Sequence, residues 1–295
     1  MKDSVVQLLE QKLLKEHPKK KLMISSFLVH LVLVLLAAIV IAPLILPFMF
    51  CFKTPLEFNY HPWALPKQLL WENFVIAWNG VRLGTGMINT FIVCIGAVCL
   101  TVPISAMAGY IFSRYRSKIT DIVFYFIMAG FFVPAQMVLI PLYKVEIKLG
   151  IINTLPGVIF AITTFGISFW TMIYRSFFTS LPNDLMESAR IDGAGHWTIF
   201  FKIMLPLTKS ATALAIILNF MGAWSDYLLS LILINSANLM TLQLRVSMFI
   251  GQLGANFFPQ YAAGVIIATA PTIILYILFH KQIIYGNTLA GALKG

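Results

Sequence analysis

The chain has 295 residues, of which 59% are hydrophobic and only 11% are charged, and its formal charge is +10. Soluble domains carry about 25% charged residues, so this excess of apolar side chains exceeds what a soluble core could bury and predicts a membrane protein. Lys and Arg stand at the ends of long apolar stretches and form no single patch, which argues against nucleic-acid binding.

Six apolar stretches are long enough to cross a bilayer, because a helical span needs about 20 residues. The period-two alternation of a membrane β-barrel is not visible, so we predict an all-α, multi-pass protein of the cell membrane. In chain order, the predicted spans are Leu22–Phe50, Met87–Phe112, Ile119–Tyr143, Leu155–Phe177, Ala211–Ile234 and Tyr261–Ile284. Together they form a six-helix domain over residues 22–285, with a short segment (1–21) before it and a tail (286–295) after it.

The distribution of Lys and Arg predicts the orientation, because cytoplasmic segments are enriched in them. If the N-terminus lies inside, the inner segments hold most of these residues. Both termini are therefore expected in the cytoplasm. In the segment 1–21, apolar residues recur at helical spacing from Val5 to Leu13 before a basic run. This pattern is typical of an amphipathic helix on the inner leaflet, and a disordered tail is the alternative.

Two outer loops have a distinctive composition. Residues 51–86 contain Trp63, Trp71 and Trp78, which are typical of interfacial anchors, with sugar stacking as the alternative. The loop at about 235–260 is rich in Asn and Gln, and a loop of that length is often functional.

The inner loop between the fourth and fifth spans, residues 182–206, predicts a hairpin of two short helices. Pro182 and the acid Asp184 are typical of a helix start. Gly193 can adopt the positive φ that ends a first helix, and an amphipathic second helix follows as far as Pro206. Such a hairpin cannot bury its apolar face alone, so it packs either under its own bundle or against a partner.

Periodicity alone favours packing under the bundle, but small and acidic residues would also suit a partner. Ala189, Gly193 and Ala194 would let another protein approach closely. Glu187 and Asp192 would be available to basic groups of that protein.

The same stretch resembles the EAA motif of permeases in binding-protein-dependent ABC importers. That motif reads E-A-A-x-x-D-G-A and is followed by I-x-L-P, where this chain has ESARIDGA and later IMLP. Ser188 replaces the middle Ala of the opening, and the Pro that often follows the motif is absent. The matching residues are Glu187, Ser188, Ala189, Asp192, Gly193, Ala194, Phe201, Ile203, Leu205 and Pro206.

Other segments resemble the carbohydrate permeases of this family, the maltose-type (MalG-like) group. They are AGYIFSRY at Ala108–Tyr115, VPAQMVLIPLY at Val133–Tyr143, WSDY at Trp224–Tyr227 and YGNTLAGALKG at Tyr285–Gly295. The likeness extends from about residue 70 to the C-terminus. It implies the type I ABC importer permease fold and a hairpin that docks on a separate ATPase. In that arrangement Glu187 pairs with a basic residue of the ATPase, Gly193 is the bend, and the C-terminal tail lies against the ATPases.

The resemblance also implies a set of partners. They are a second, paralogous permease in a heterodimer, two ATPase subunits that hold ATP and Mg, an extracytoplasmic solute-binding protein and a carbohydrate cargo. A polar non-sugar such as glycerol phosphate or a polyamine is the alternative cargo. The chain lacks the G-x-x-x-x-G-K-[ST], H-E-x-x-H and G-x-S-x-G motifs, so we expect no catalysis, cofactor or metal in the chain itself.

Four residues within or beside the predicted spans are candidates for the substrate path or the permease interface: Asn219, Trp224, Asp226 and Gln136. Asp226 is the one acid well inside a predicted span, and an ionisable residue there suggests function. A structural hydrogen bond to a neighbouring helix, or an interface contact, is the favoured interpretation. An ion-driven secondary transporter would need several such carboxylates.

Overall fold

The computed structural model describes residues 28–251 and 257–292, and the side chains of residues 28–250 and 257–282. This part of the chain is helical and contains no strand, which confirms the predicted all-α class. The predicted N-terminal segment 1–21 lies outside the described residues, as do residues 22–27 of the first predicted span.

Thirteen α-helices run through the described ranges. They are α1 Leu28–Phe50, α2 Pro55–Tyr60, α3 Glu72–Gly80, α4 Leu83–Arg114, α5 Lys118–Phe131, α6 Ala135–Leu149, α7 Leu155–Ser180, α8 Asp184–Ile191, α9 His196–Leu207, α10 Lys209–Trp224, α11 Leu228–Leu233, α12 Leu242–Gly251 and α13 Phe258–Ala292. Of these, α1, α4, α7 and α13 are long and apolar enough to cross a membrane. The bent pairs α5–α6 and α9–α10 bring the number to six if each pair counts as one span.

The third predicted span, Ile119–Tyr143, is wrong as a single helix. The axes of α5 and α6 differ by 107° across a short break. Pro134 stands in this break with extended backbone angles, φ −59° and ψ 134°. A proline disfavours the helical conformation of the residue before it and cannot donate a backbone hydrogen bond, so the helix stops there and restarts in a new direction.

The fifth predicted span, Ala211–Ile234, is also wrong as a continuous helix. α10 ends at Trp224, and α11 begins only at Leu228. The Asp226 carboxylate accepts hydrogen bonds from the backbone N–H groups of Leu229 (3.3 Å) and Ser230 (3.0 Å) and from the Ser230 hydroxyl (2.8 Å). An aspartate that caps a new helix in this way competes with continuation of the old one.

Two further boundaries differ from the sequence-based expectation. The polar loop at about 235–260 contains a 3₁₀ turn (Ala237–Leu239) and α12. Asn89 on α4 holds the start of this segment, because its Nδ2 donates to the carbonyls of Asn238 (2.8 Å) and Met240 (3.0 Å). α13 continues to Ala292, past the boundary expected at residue 285.

The end of the bundle opposite the α8–α9 hairpin is held together by buried cations. The Lys53 ammonium is fully buried and donates to the carbonyls of His61 (2.9 Å) and Pro62 (2.6 Å). Arg245 is 4% exposed and donates to the carbonyls of Val81 (2.8 Å) and Ala237 (2.7 Å). A buried charge is costly unless polar groups surround it, so these side chains fix the loop backbone around them.

The centre of the bundle is the packing of α4 against α7, which α10 joins at one side. Gly109 on α4 allows the close approach, because a Cβ there would lie 2.6 Å from Tyr174 Cβ and 2.8 Å from Arg175 N. The fully buried Tyr174 then reaches α10, where its hydroxyl is 3.1 Å from Thr212 Oγ1.

We expect Gly109→Ala to destabilise the folded chain by about 1–3 kcal/mol, because the new methyl group meets rigid atoms of α7. Gly222→Ala on α10 is the matched control, since nothing lies within 4 Å of a Cβ at that position. Thermal unfolding of the purified protein in detergent measures both. Equal melting temperatures for the two variants would contradict the close packing of α4 and α7.

Candidate functional site

The predicted bend of the hairpin at Gly193 is confirmed. Its φ is +81°, in the left-handed region that glycine adopts without strain. The Gly193 N–H donates to the Arg190 carbonyl (3.0 Å), and the Ala194 N–H donates to the Ala189 carbonyl (2.9 Å). This pair of bonds is the Schellman arrangement that ends a helix, here α8.

The second helix, α9, departs from a regular α-helix. It is wound as a π-helix over Ile199–Met204, and it runs through Pro206 to Leu207. It then bends by 76° into α10. Its buried side chains, Ile199, Phe200 and Met204, join the core formed by α4, α7 and α10. The hairpin is therefore packed against its own bundle along one face.

The motif residues divide between two faces of this hairpin. Ala189 is 7% exposed, and Ala194, Ile203 and Leu205 are partly buried against the same core. Small size at Ala189 thus serves internal packing, and this position is not available for close approach by a partner. The exposed motif residues are Glu187, Ser188, Asp192, Gly193, Phe201 and Pro206.

The exposed face also carries large apolar side chains that the sequence analysis did not single out. Ile191 is 86% exposed and Trp197 is 68% exposed. The Trp197 ring stacks on Phe201, with centroids 5.8 Å apart and planes at 19°. Exposed apolar groups beside the acids Glu187 and Asp192 are typical of a surface that another protein covers. Helical periodicity misses them because it assigns apolar residues to the buried face.

Arg114, at the end of α4, fastens the hairpin to two spans. Its Nη2 donates to the carbonyls of Phe178 (2.6 Å) and Leu181 (2.8 Å), and its Nη1 donates to Asn183 Oδ1. The last carbonyls of a helix have no partner within that helix, so the guanidinium satisfies the end of α7. The same group reaches Asn183, the residue that directly precedes α8. Arg114 therefore links α4, α7 and the hairpin.

A second tie joins the other arm of the hairpin to the same place. The Tyr115 hydroxyl lies 2.7 Å from His196 Nδ1 at the start of α9, and Arg190 Nη2 lies 3.5 Å from that hydroxyl. Sequence reasoning noted Arg114 and Tyr115 only as part of a family-like segment. The tertiary contacts show that both arms of the hairpin are tied to the end of α4.

Two of the four candidate residues, Trp224 and Asp226, are engaged in structural bonds. Trp224 is 3% exposed, and its Nε1 donates to the Ala268 carbonyl on α13 (3.0 Å). Asp226 caps α11 as described above. Asn219 is 7% exposed in the core and its Oδ1 has no hydrogen-bond partner among the described residues. Gln136 is exposed in the first turn of α6.

Known proteins resemble this chain in both sequence and fold. The chain is 31% identical over 255 residues to the diacetylchitobiose uptake system permease protein NgcG of Streptomyces coelicolor, covering 86% of this chain and 84% of that protein. It is 31% identical over 268 residues to the melibiose/raffinose/stachyose import permease protein MelC of Bacillus subtilis, covering 90% and 96%. A chain of a bacterial ABC transporter involved in the import of the acidic polysaccharide alginate superposes with a TM-score of 0.78 at 20% identity, covering 88% and 96%.

The helical bundle with a hairpin held beneath it has the fold of type I ABC importer permeases. Residues 101–283 match the family model described as binding-protein-dependent transport system inner membrane component. The chain belongs to that family, and it is therefore an integral membrane subunit of a transport system that works with a binding protein.

We expect Arg114→Ala to loosen the hairpin, because the end of α7 and Asn183 lose a charged donor worth about 1.5–3 kcal/mol. Limited trypsin digestion in detergent should then cut after Arg190 about tenfold faster than in the unmodified protein, since cleavage follows local opening.

Arg116→Ala is the matched control for this experiment. Arg116 is exposed two residues further along and makes no hydrogen bond to another described residue. Its variant should be cut at the original rate. Equal rates for the two variants would show that Arg114 does not hold the hairpin.

Proposed function

We propose that this chain is a permease subunit of an ATP-binding-cassette importer for a carbohydrate, and that the α8–α9 hairpin receives the force of a separate ATPase. The observation that carries the proposal is the hairpin itself. Its outer face presents acids and apolar groups, while its inner face is packed into the bundle and tied by Arg114. Such a surface can accept a partner and pass its movement to α4 and α7.

The exposed motif residues form the surface for that ATPase. Glu187 pairs with a basic group of the partner, and Asp192 lies beside the bend where a second basic group can reach it. Ile191 and the stacked Trp197–Phe201 pair supply apolar area, which contributes about 25 cal/mol per Å² removed from water. The acids would thus orient the contact, and the apolar groups would strengthen it.

The complete transporter holds a second, paralogous permease, two ATPase subunits with ATP and Mg, and an extracytoplasmic binding protein. Closure of the ATPases moves the two hairpins, and each hairpin turns its spans between inward- and outward-facing arrangements. Relatives named for diacetylchitobiose and for melibiose, raffinose and stachyose support a carbohydrate as the cargo. The ATPases bind and hydrolyse the nucleotide. This chain contributes part of the substrate path and the α8–α9 hairpin that moves with the ATPases.

Gly193→Pro is expected to abolish the ATP hydrolysis that the loaded binding protein stimulates in the assembled transporter. Proline fixes φ near −65° and has no N–H, whereas Gly193 has φ +81° and donates to the Arg190 carbonyl. The bend, and with it the docking face, would be lost. Insertion of the chain into the membrane should survive, because the spans are unchanged.

Gly195→Ala is the control for the bend. Gly195 has φ −71°, and nothing lies within 4 Å of a Cβ at that position, so alanine fits without strain. Its stimulated hydrolysis should equal that of the unmodified transporter. Normal stimulation in the Gly193→Pro transporter would refute the docking role of the hairpin.

The proposed orientation places the hairpin in the cytoplasm and α2 outside. Ile191→Cys and Tyr60→Cys are suitable reporters, because these side chains are 86% and 76% exposed. In a background without Cys51, Cys94 and Cys99, a membrane-impermeant maleimide should label Tyr60→Cys in intact cells. It should label Ile191→Cys only after the membrane is opened, in cells that make the chain without the ATPase that would cover this side chain. Labelling of Ile191→Cys in intact cells would overturn the orientation.

A further inference from the structure

The length of α10 indicates that the break between α10 and α11 lies at membrane depth. α10 has 16 residues, Lys209–Trp224, so it rises about 24 Å. The hydrocarbon core of a bilayer is about 30 Å thick, so the chain leaves the helix before it has crossed. Non-helical backbone at such a depth is tolerated only where protein buries it or where it lines a water-filled cavity. Ser225 and Tyr227 are both exposed, so the rest of this chain does not cover the break on that side.

A groove of about 360 Å³ lies at this break, between the residues after α10 and the helices α12 and α13. Five polar side chains line it, and each carries a hydroxyl or an amide: Tyr227, Gln243, Ser247, Tyr261 and Thr269. A concentration of polar groups at membrane depth is costly against lipid, so this surface faces water, a solute or a protein.

The polar groups of the groove have unused bonding capacity. The Tyr227 and Tyr261 hydroxyls make no hydrogen bond to another described residue, so each can donate and accept. Ser247 and Thr269 donate to carbonyls of their own helices (both 2.7 Å) and keep their lone pairs as acceptors. Gln243 donates weakly, at 3.4 Å, to the Trp224 carbonyl.

The electrostatics of the groove select the kind of solute. None of the described residues that line it carries a charge. An ion would lose its water there without gaining a lining residue of opposite charge, which is unfavourable. The Asp226 carboxylate beside Tyr227 is already committed to the α11 N-terminus, and its negative charge further disfavours anions. Two aromatic rings with hydroxyl and amide groups suit a neutral polyhydroxyl ring, which presents apolar faces and a rim of hydroxyls.

We infer that this groove is a contact site for a neutral carbohydrate within the membrane part of the chain, with Tyr227, Tyr261 and Gln243 as its main ligands. The inference rests on the proposed function and narrows it to an uncharged cargo. It places the sugar on side chains beside the candidates Trp224 and Asp226, which themselves hold the break together.

The test uses the assembled transporter in proteoliposomes with its binding protein. Raffinose and diacetylchitobiose are the neutral probes, and a uronic-acid disaccharide and spermidine are the charged ones. We expect ATP-dependent uptake of a neutral probe and none of the charged probes. Tyr227→Phe and Tyr261→Phe keep the ring and remove one hydroxyl, so each should lower the sugar carried per ATP hydrolysed by about three- to tenfold.

Tyr276→Phe is the matched control, because Tyr276 lies further along α13 and does not line the groove. Its ratio of sugar to ATP should be unchanged. The inference is overturned if the two groove variants behave like this control, or if a charged probe is the cargo. It is also overturned if the variants reduce recovery of the complex with the second permease, because the groove would then be a protein interface. Loss of binding-protein-stimulated ATP hydrolysis in the unmodified complex would instead count against the proposed function.

Discussion

The structure depends on one constraint: in hydrocarbon, every backbone N–H and C=O must find a partner within the protein. Long helices meet it in α4 and α7. Where a helix stops, a side chain can bond to the free backbone groups. Asp226 accepts from N–H groups at the start of α11, and Arg114 donates to carbonyls at the end of α7. At these two stops, identifiable hydrogen bonds satisfy the free backbone groups.

Those stops are also the places to which the proposed function assigns a role. The end of α7 leads into the hairpin, and the same guanidinium that satisfies its carbonyls ties the hairpin to α4. The break after α10 exposes polar groups at membrane depth and forms one side of a groove. In the proposed function, a force applied at α8 and α9 would reach this break through α10, because α9 bends into α10 with one residue between them. The hairpin and the groove lie at the two ends of one continuous segment.

The interior of the bundle shows why polar residues in a span do not by themselves mark a substrate path. Asp226 and Trp224 are the most noticeable polar and aromatic candidates of their segment. Both use their polar groups in hydrogen bonds within the chain. The Tyr227 and Tyr261 hydroxyls do have bonding capacity left, although the sequence analysis did not select either residue as a candidate. A side chain is available to a solute only if its bonds are not already satisfied, and this depends on its three-dimensional neighbours.

The sequence by itself determined the helical membrane class, the hairpin and its bend at Gly193. The length of each apolar stretch and a glycine that can end a helix are both local properties of the chain. It also showed the resemblance to the permease family, because the motif residues are close together in the chain. Only the tertiary structure decided that Ile119–Tyr143 and Ala211–Ile234 are broken, since proline and aspartate permit either a kink or a stop. It alone showed which motif residues face inward, as Ala189 does, because the choice between core and partner depends on packing against distant helices.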